Sequence, residues 1–137
     1  MTIHQLGSIS ETPAGEGPLT QPGARLFRAA TSDRGRAVAQ ALAEERTILA
    51  VHRVESALLV ERGHGTVLHW EGLRGKLYTL PLDPEQRAFL GLILSMVGMG
   101  QVAITAVTDL NTERLRIIVQ ALLRLAGDDS IAIATRI

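Results

Sequence analysis

The sequence from Asp83 to Asp109, DPEQRAFLGLILSMVGMGQVAITAVTD, contains the longest uncharged segment of the chain, the 21 residues Ala88–Thr108. An uncharged apolar segment of this length is the first signature of a membrane-spanning helix. Gly98 and Gly100 interrupt it, however, and the residues after them are mostly β-branched, which disfavours one continuous helix. We therefore predict that the segment forms the buried centre of a soluble domain, with a membrane span as the less favoured alternative.

A helix-start signal lies immediately before this segment. Asp83 is a good N-cap, Pro84 suits the first helical position, and Gln86 completes a capping-box pattern. The helix that begins at Pro84 is apolar on nearly all sides after Arg87, so we expect it to be buried on most of its surface. The β-branched residues of Gln101–Val107 then predict a strand.

The segments that follow complete a strand–helix–strand unit. Asp109 or Asn111 caps a predicted helix over Thr112–Ala126, and Gly127 is suited to end it. Apolar residues alternate in Ser130–Ile137, which predicts a further strand. The helix between the two strands is long enough to be a crossover in a parallel sheet.

Turn signals divide the N-terminal part of the chain. Residues 1–23 contain three prolines, four glycines and no basic residue, and are predicted to be a flexible tail before a single domain over residues 24–137. A helix is predicted over Arg34–Arg46, followed by short antiparallel strands up to Leu82. A helix over Thr47–Arg62 remains an alternative. The predicted fold class is α+β: an N-terminal helix, a small antiparallel meander and a C-terminal helix–strand–helix–strand unit.

Composition excludes several classes of function. The chain has 14 basic and 14 acidic residues among 137, unlike the strongly basic surface of a general nucleic-acid binder. It has no cysteine, which excludes disulfides, thiolate catalysis and cysteine-ligated zinc. Lys76 is its only lysine, a bias that indicates a GC-rich bacterial genome. The residues Met1–Ser10 do not resemble a signal peptide, so a cytoplasmic location is expected.

Residues suited to catalysis or metal binding are scattered. His52, His64 and His69 lie in one predicted sheet and are weak candidates for a metal site, but their spacing matches no metal motif. Asp109 lies between a predicted strand and a predicted helix, where parallel sheets often bind ligands, although helix capping explains it equally well. We assign no catalytic residue and expect no cofactor.

Turns are predicted at Gly63–Gly65 and at Gly72–Gly75, and basic and aromatic residues combine near the second. Trp70, Arg74, Lys76 and Tyr78 would lie on a hairpin tip and contact phosphate or a protein partner. A cross-strand pair of Trp70 and Tyr78 that closes the small sheet is the favoured interpretation.

Three functional hypotheses follow, in order of preference. The first is a non-enzymatic interaction or regulatory module with a protein partner or itself, a homodimer paired at the edge of the terminal strand, and no membrane partner. The second is a winged-helix transcriptional regulator, although the neutral chain and the β-branched residues before its recognition helix weigh against it. Its DNA contacts would be Arg114, Arg116, Gln120, Arg124 and Arg136. The third is a small enzyme or metal-binding protein.

Overall fold

The computed structural model describes residues 21–100, 102–128 and 130–134. Within these ranges the fold is mixed α+β and mostly helical, with two antiparallel strands. The helices are α1 (Gln21–Ala29), α2 (Asp33–Glu45), α3 (His52–Leu58), α4 (Trp70–Lys76), α5 (Pro84–Met96) and α6 (Thr112–Ala126), with a 3-10 helix over Ile104–Asp109 before α6. The strands are β1 (Leu59–Arg62) and β2 (Gly65–Leu68).

The N-terminal part contains one helix that was not predicted, α1, and one that was, α2. Most of the predicted tail lies outside the described residues, but its last three positions belong to α1, which begins at Gln21. Pro22 fits there because the first turn of a helix does not need its missing N–H. The helix predicted over Arg34–Arg46 is confirmed as α2, with the Ser32 side chain accepting a hydrogen bond from the backbone N–H of Gly35 at 2.9 Å.

The predicted meander is largely wrong. Between residues 47 and 82 the strands that form are β1 and β2, joined by a turn at Gly63 and His64. The helical alternative for Thr47–Arg62 is correct for α3 but wrong for the last four residues, which form β1. The strand expected over Lys76–Leu82 is replaced by the end of α4 and by turns.

The reason for the wrong strand is visible in the spacing of buried leucines. Leu73, Leu77 and Leu80 are buried at intervals of four and three residues, a helical rather than a strand pattern. Gly72, which indicated a turn, lies inside α4 where a Cβ would approach the Ala57 carbonyl oxygen to 2.8 Å. The lack of a side chain at Gly72 therefore allows α4 to lie close to α3.

Helix α5 is the predicted centre of the core. Asp83 accepts from the Gln86 N–H at 2.7 Å, and the Gln86 side chain accepts from the Asp83 N–H at 3.0 Å, which completes the capping box. Nearly all positions from Ala88 to Met96 are buried. No helix in the described ranges combines the length and apolar composition that a membrane crossing needs.

The uncharged segment turns sharply after α5. Gly98 has a φ of +83°, which favours glycine, and a Cβ on Gly100 would lie 2.4 Å from the Ser95 Cα. The strand predicted over Gln101–Val107 is wrong because no described strand lies beside it to supply ladder hydrogen bonds. Ala106 and Val107 of the 3-10 helix, and Val102 before it, pack against the core instead. Gln101 itself lies outside the described residues.

The predicted C-terminal crossover unit is also wrong. Helix α6 is confirmed, with Asn111 rather than Asp109 as its cap and Gly127 in the left-handed conformation after it. Residues 131–134 are not in a strand, and Thr135–Ile137 lie outside the described residues. Helix α6 packs mainly on α2, and this contact joins distant parts of the sequence.

Candidate functional site

The main candidate site is an exposed apolar surface on α6. Leu115, Val119 and Leu122 are 38%, 36% and 40% exposed, whereas Ile117, Ile118 and Ala121 on the same helix are buried. The helix thus has two apolar sides, one in the core and one at the surface. We call the surface formed by Leu115, Val119 and Leu122 the α6 face.

A shallow groove adjoins the α6 face. It has a volume of about 330 Å³, and its apolar lining comes from α5, the 3-10 helix and α6. Ile104, which is 66% exposed, lies at its edge. The apolar lining residues are Leu92, Met96, Ile104, Leu122 and Leu125. The groove extends the apolar surface beyond α6 itself.

Ion pairs fix the N-terminal end of α6 to two other helices. The Arg114 guanidinium lies 2.8 Å from the Glu45 carboxylate on α2 and 3.0 Å from Glu85 on α5. Burial acts to lower the pKa of Arg114, but its hydrogen bonds to Glu45 and Glu85 outweigh burial and raise it. The pKa of Glu85 is lowered mainly by the hydrogen bond from the Asn111 N–H, and next by the hydrogen bond from Arg114.

Glu45 is a buried carboxylate whose hydrogen bonds are satisfied. It accepts from Arg114 Nε at 2.9 Å, from the Ile48 N–H at 2.9 Å and from the Thr47 hydroxyl. The Thr47 hydroxyl also accepts from Gln86 Nε2 at 3.0 Å. We infer that this network orients α6 relative to α2 and α5.

The predicted DNA-contacting arginines of α6 are all paired with carboxylates. Arg114 belongs to the buried network, Arg116 pairs with Glu113 at 2.7 Å, and Arg124 pairs with Glu44 at 3.3 Å. The hydrogen bond between Arg116 and Glu113 raises the pKa of Arg116 and lowers that of Glu113. These pairings reduce the positive charge that the helix presents to solvent.

Gln120 and Arg136 are the two remaining residues of the DNA-binding hypothesis. Gln120 is half-buried on α6. Arg136 lies outside the described residues, so the structure gives no position for it. The wing of which it was expected to be part is not a strand in its described portion, Ile131–Ala134.

The residues predicted for a hairpin tip do not lie at one. Trp70, Arg74 and Lys76 belong to α4, and Tyr78 follows it in a turn with 67% of its surface exposed. The tip of the observed hairpin is Gly63 and His64 instead. The cross-strand pair of Trp70 and Tyr78 is therefore wrong, and Trp70 packs against the core.

The three candidate metal ligands lie on different elements. His52 is on α3, His64 is in the hairpin turn, and His69 precedes α4. No group of three or more potential metal ligands is found among the residues that the structure describes. His52 Nε2 lies 3.2 Å from the Ser56 hydroxyl, one turn further along α3. Asp109 is exposed at the end of the 3-10 helix.

The sequence contains a signal for the α6 face. Helical spacing places Leu115, Ile118, Val119, Leu122 and Leu125 on one apolar face, but apolar residues also occupy positions 117, 121 and 123. A helix with apolar residues on so much of its circumference has more apolar surface than one contact with a core covers. Which part stays exposed depends on how α6 packs.

Comparisons with known proteins assign no family. No protein-family model, curated protein or solved structure matches the chain. The function is therefore inferred from the geometry of the molecule.

Proposed function

We propose that this chain is a non-enzymatic interaction module that forms a homodimer through the α6 face. The observation that carries the proposal is the exposed apolar surface of Leu115, Val119 and Leu122 on a helix whose other side is already buried. Clustered apolar exposure of this kind is typical of protein interaction sites.

The spacing within the α6 face suits a second helix. Leu115, Val119 and Leu122 follow each other at intervals of four and three residues, as in the apolar positions of a coiled coil. Ala126, four residues further on, is also exposed and small. Side chains at this spacing can interdigitate with an identical set related by a two-fold axis.

The charges around the α6 face support a second copy as the occupant. Arg116 is paired with Glu113 and Arg124 with Glu44, so these two arginines do not face a second copy as unpaired charges. Like-charge repulsion from these two residues is therefore small for self-association. The Arg114 network also holds α6 in place before binding, which reduces the ordering cost of association.

The test is analytical ultracentrifugation of the wild type and two matched variants between about 1 and about 100 µM. Val119→Glu places a charge in the centre of the α6 face and is expected to raise the dimer dissociation constant at least about tenfold. Val67→Glu is the control, because Val67 has a similar exposure of 40% but lies on β2.

The control is expected to dimerise as the wild type does. A wild type that stays monomeric over the whole concentration range contradicts the proposal. So does equal weakening of the dimer by Val119→Glu and Val67→Glu, because the effect would not then depend on the α6 face.

Binding of duplex DNA is the second candidate. It is supported by the 3-10 helix Ile104–Asp109, which precedes α6 across a two-residue connection and resembles the order of a helix-turn-helix. A salt-dependent mobility shift at low ionic strength that is lost in Arg116→Ala/Arg124→Ala supports DNA binding. No shift with the wild type contradicts it.

A further inference from the structure

A cavity that shares no lining residue with the α6 face or its adjoining groove has a different chemistry. It lies between α3 and the turn that follows α4, and has a volume of about 490 Å³. All the polar residues that line it are exposed, so it is a depression open to solvent. These residues are His52, Arg53, Ser56, Lys76 and Thr79.

The lining concentrates hydrogen-bond donors and positive charge. Arg53 and Lys76 enter it from two different elements, and no carboxylate contributes to the lining. This is a local excess, since the whole chain has equal numbers of acidic and basic residues. Neither Arg53 nor Lys76 forms an ion pair with any residue in the described ranges.

The nearest carboxylate along α3 is already bound elsewhere. Glu55 pairs with Arg25 of α1 at 3.3 Å, and its side chain is only 26% exposed. It therefore does not neutralise the guanidinium of the neighbouring Arg53. The positive charge of the cavity is left for an external anion.

The hydroxyl groups of Ser56 and Thr79 have different roles at the cavity. Ser56 lies 3.2 Å from His52 Nε2, and when the imidazole donates to the serine oxygen the hydroxyl proton is free to reach a ligand. The Thr79 hydroxyl donates to the Lys76 carbonyl at 3.0 Å, and the Leu80 N–H donates to the same carbonyl at 3.0 Å. These bonds tie the turn that follows α4 to Lys76, the last residue of that helix.

Two apolar residues of the lining are buried. Ala57 and Leu80 have 8% and 3% of their surfaces exposed and contribute to the cavity wall. A ligand that carries an organic group beside its anionic group would contact both kinds of surface. Inorganic anions would use the charged part alone.

We propose that this cavity binds a phosphomonoester, with the phosphate held by Arg53, Lys76 and Ser56 and the organic group against Ala57 and Leu80. A guanidinium supplies paired, planar donors to phosphate oxygens, and an ammonium supplies a compact charge. A hydroxyl donor completes the set of groups that phosphate oxygens accept from. This site is independent of the α6 face, so it does not rest on the proposed dimer.

The test is titration of the isotope-labelled protein with phenyl phosphate and with inorganic phosphate, followed by nuclear magnetic resonance. Phenyl phosphate is expected to shift amide signals of residues 52–57 and 76–80 and to bind more tightly than inorganic phosphate, because its ring reaches Ala57 and Leu80. Arg53→Gln and Lys76→Gln are each expected to weaken phenyl phosphate binding at least about tenfold.

Arg62→Gln is the matched control. Arg62 is an exposed arginine on β1 that does not line the cavity, so its replacement is expected to leave the affinity unchanged. The proposal is overturned if phenyl phosphate does not bind, if the shifts lie outside the two segments, or if all three variants weaken binding equally. Unchanged signal dispersion in each variant excludes unfolding as the cause of a loss.

A second arm distinguishes a free phosphomonoester from one on a lipid. Vesicles that contain phosphatidic acid present the same chemical group at a membrane surface. Sedimentation of the wild type, but not of Lys76→Gln, with these vesicles assigns the lipid source. Binding of phenyl phosphate without such sedimentation assigns a free small molecule.

Discussion

At the scale of single residues, the most consequential side chain is Arg114. Its guanidinium contacts a carboxylate on α2 and another on α5, and its own exposure is 14% against 2% for the Glu45 side chain. A buried ion pair gains little over well-packed apolar residues, but removing one partner leaves the other charge buried and unpaired. Substitution of one member of this network is therefore expected to lower the stability of the fold.

Arg114→Ala is expected to lower the free energy of unfolding by about 3 kcal/mol, because Glu45 loses its cationic partner while remaining buried. Arg116→Ala is the control, since Arg116 makes an exposed pair with Glu113, and its loss is expected to cost no more than about 0.5 kcal/mol. Urea denaturation followed by circular dichroism measures both. Equal losses in the two variants would show that the buried network does not stabilise the fold.

Residue-scale features differ in how well a sequence predicts them. The capping box of Asp83 and Gln86 was predictable because both partners lie within three residues and form one local pattern. The pair of Arg114 and Glu45 was not, because 69 residues separate the two and only the packing of α6 on α2 brings them together. Long-range pairs of this kind leave no local signal.

At the scale of elements, the contact between α5 and the segment after it depends on a glycine. A Cβ on Gly91 would lie 2.7 Å from Val102 Cγ1 and 3.0 Å from its Cγ2. Both distances are shorter than ordinary carbon–carbon contact. Gly91 therefore allows the residues before the 3-10 helix to approach the middle of α5.

Gly91→Ala is expected to destabilise the protein by about 1 kcal/mol, because overpacking against Val102 outweighs the higher helix propensity of alanine. In a Val102→Ala background the same substitution is expected to be neutral or stabilising, because the clashing methyl groups are gone. Thermal and urea unfolding of the four proteins of this cycle measure the coupling. A Gly91→Ala protein that is more stable than the wild type would contradict this interpretation of the contact.

Elements were predicted well where their signals were local and poorly where they depended on neighbours. Helices α2, α5 and α6 have caps and long apolar patterns, which suffice to locate them. The β-branched residues of Gln101–Val107 indicate a strand only if another strand is available for pairing, and residues 131–134 do not supply one. Gly72 and Gly75 suggested turns but lie within α4, where leucine spacing decides the structure.

At the scale of the whole molecule, the fold class was predictable and the proportion of strand was not. The mixed α+β class is confirmed, but helices replace most of the predicted sheet. The core is mainly aliphatic, since Phe89 is the only aromatic residue among the fully buried side chains of the described ranges. The α6 face and the cationic cavity both depend on the arrangement of elements, so neither could be located from sequence alone.

The contact between α2 and α6 has a consequence for how the chain folds during synthesis. Helix α2 leaves the ribosome well before α6, since residues 33–45 precede residues 112–126 by most of the domain. Until α6 emerges, α2 lacks the helix that it contacts most and Glu45 lacks its arginine. The native core can therefore close only after Ala126 has left the ribosome.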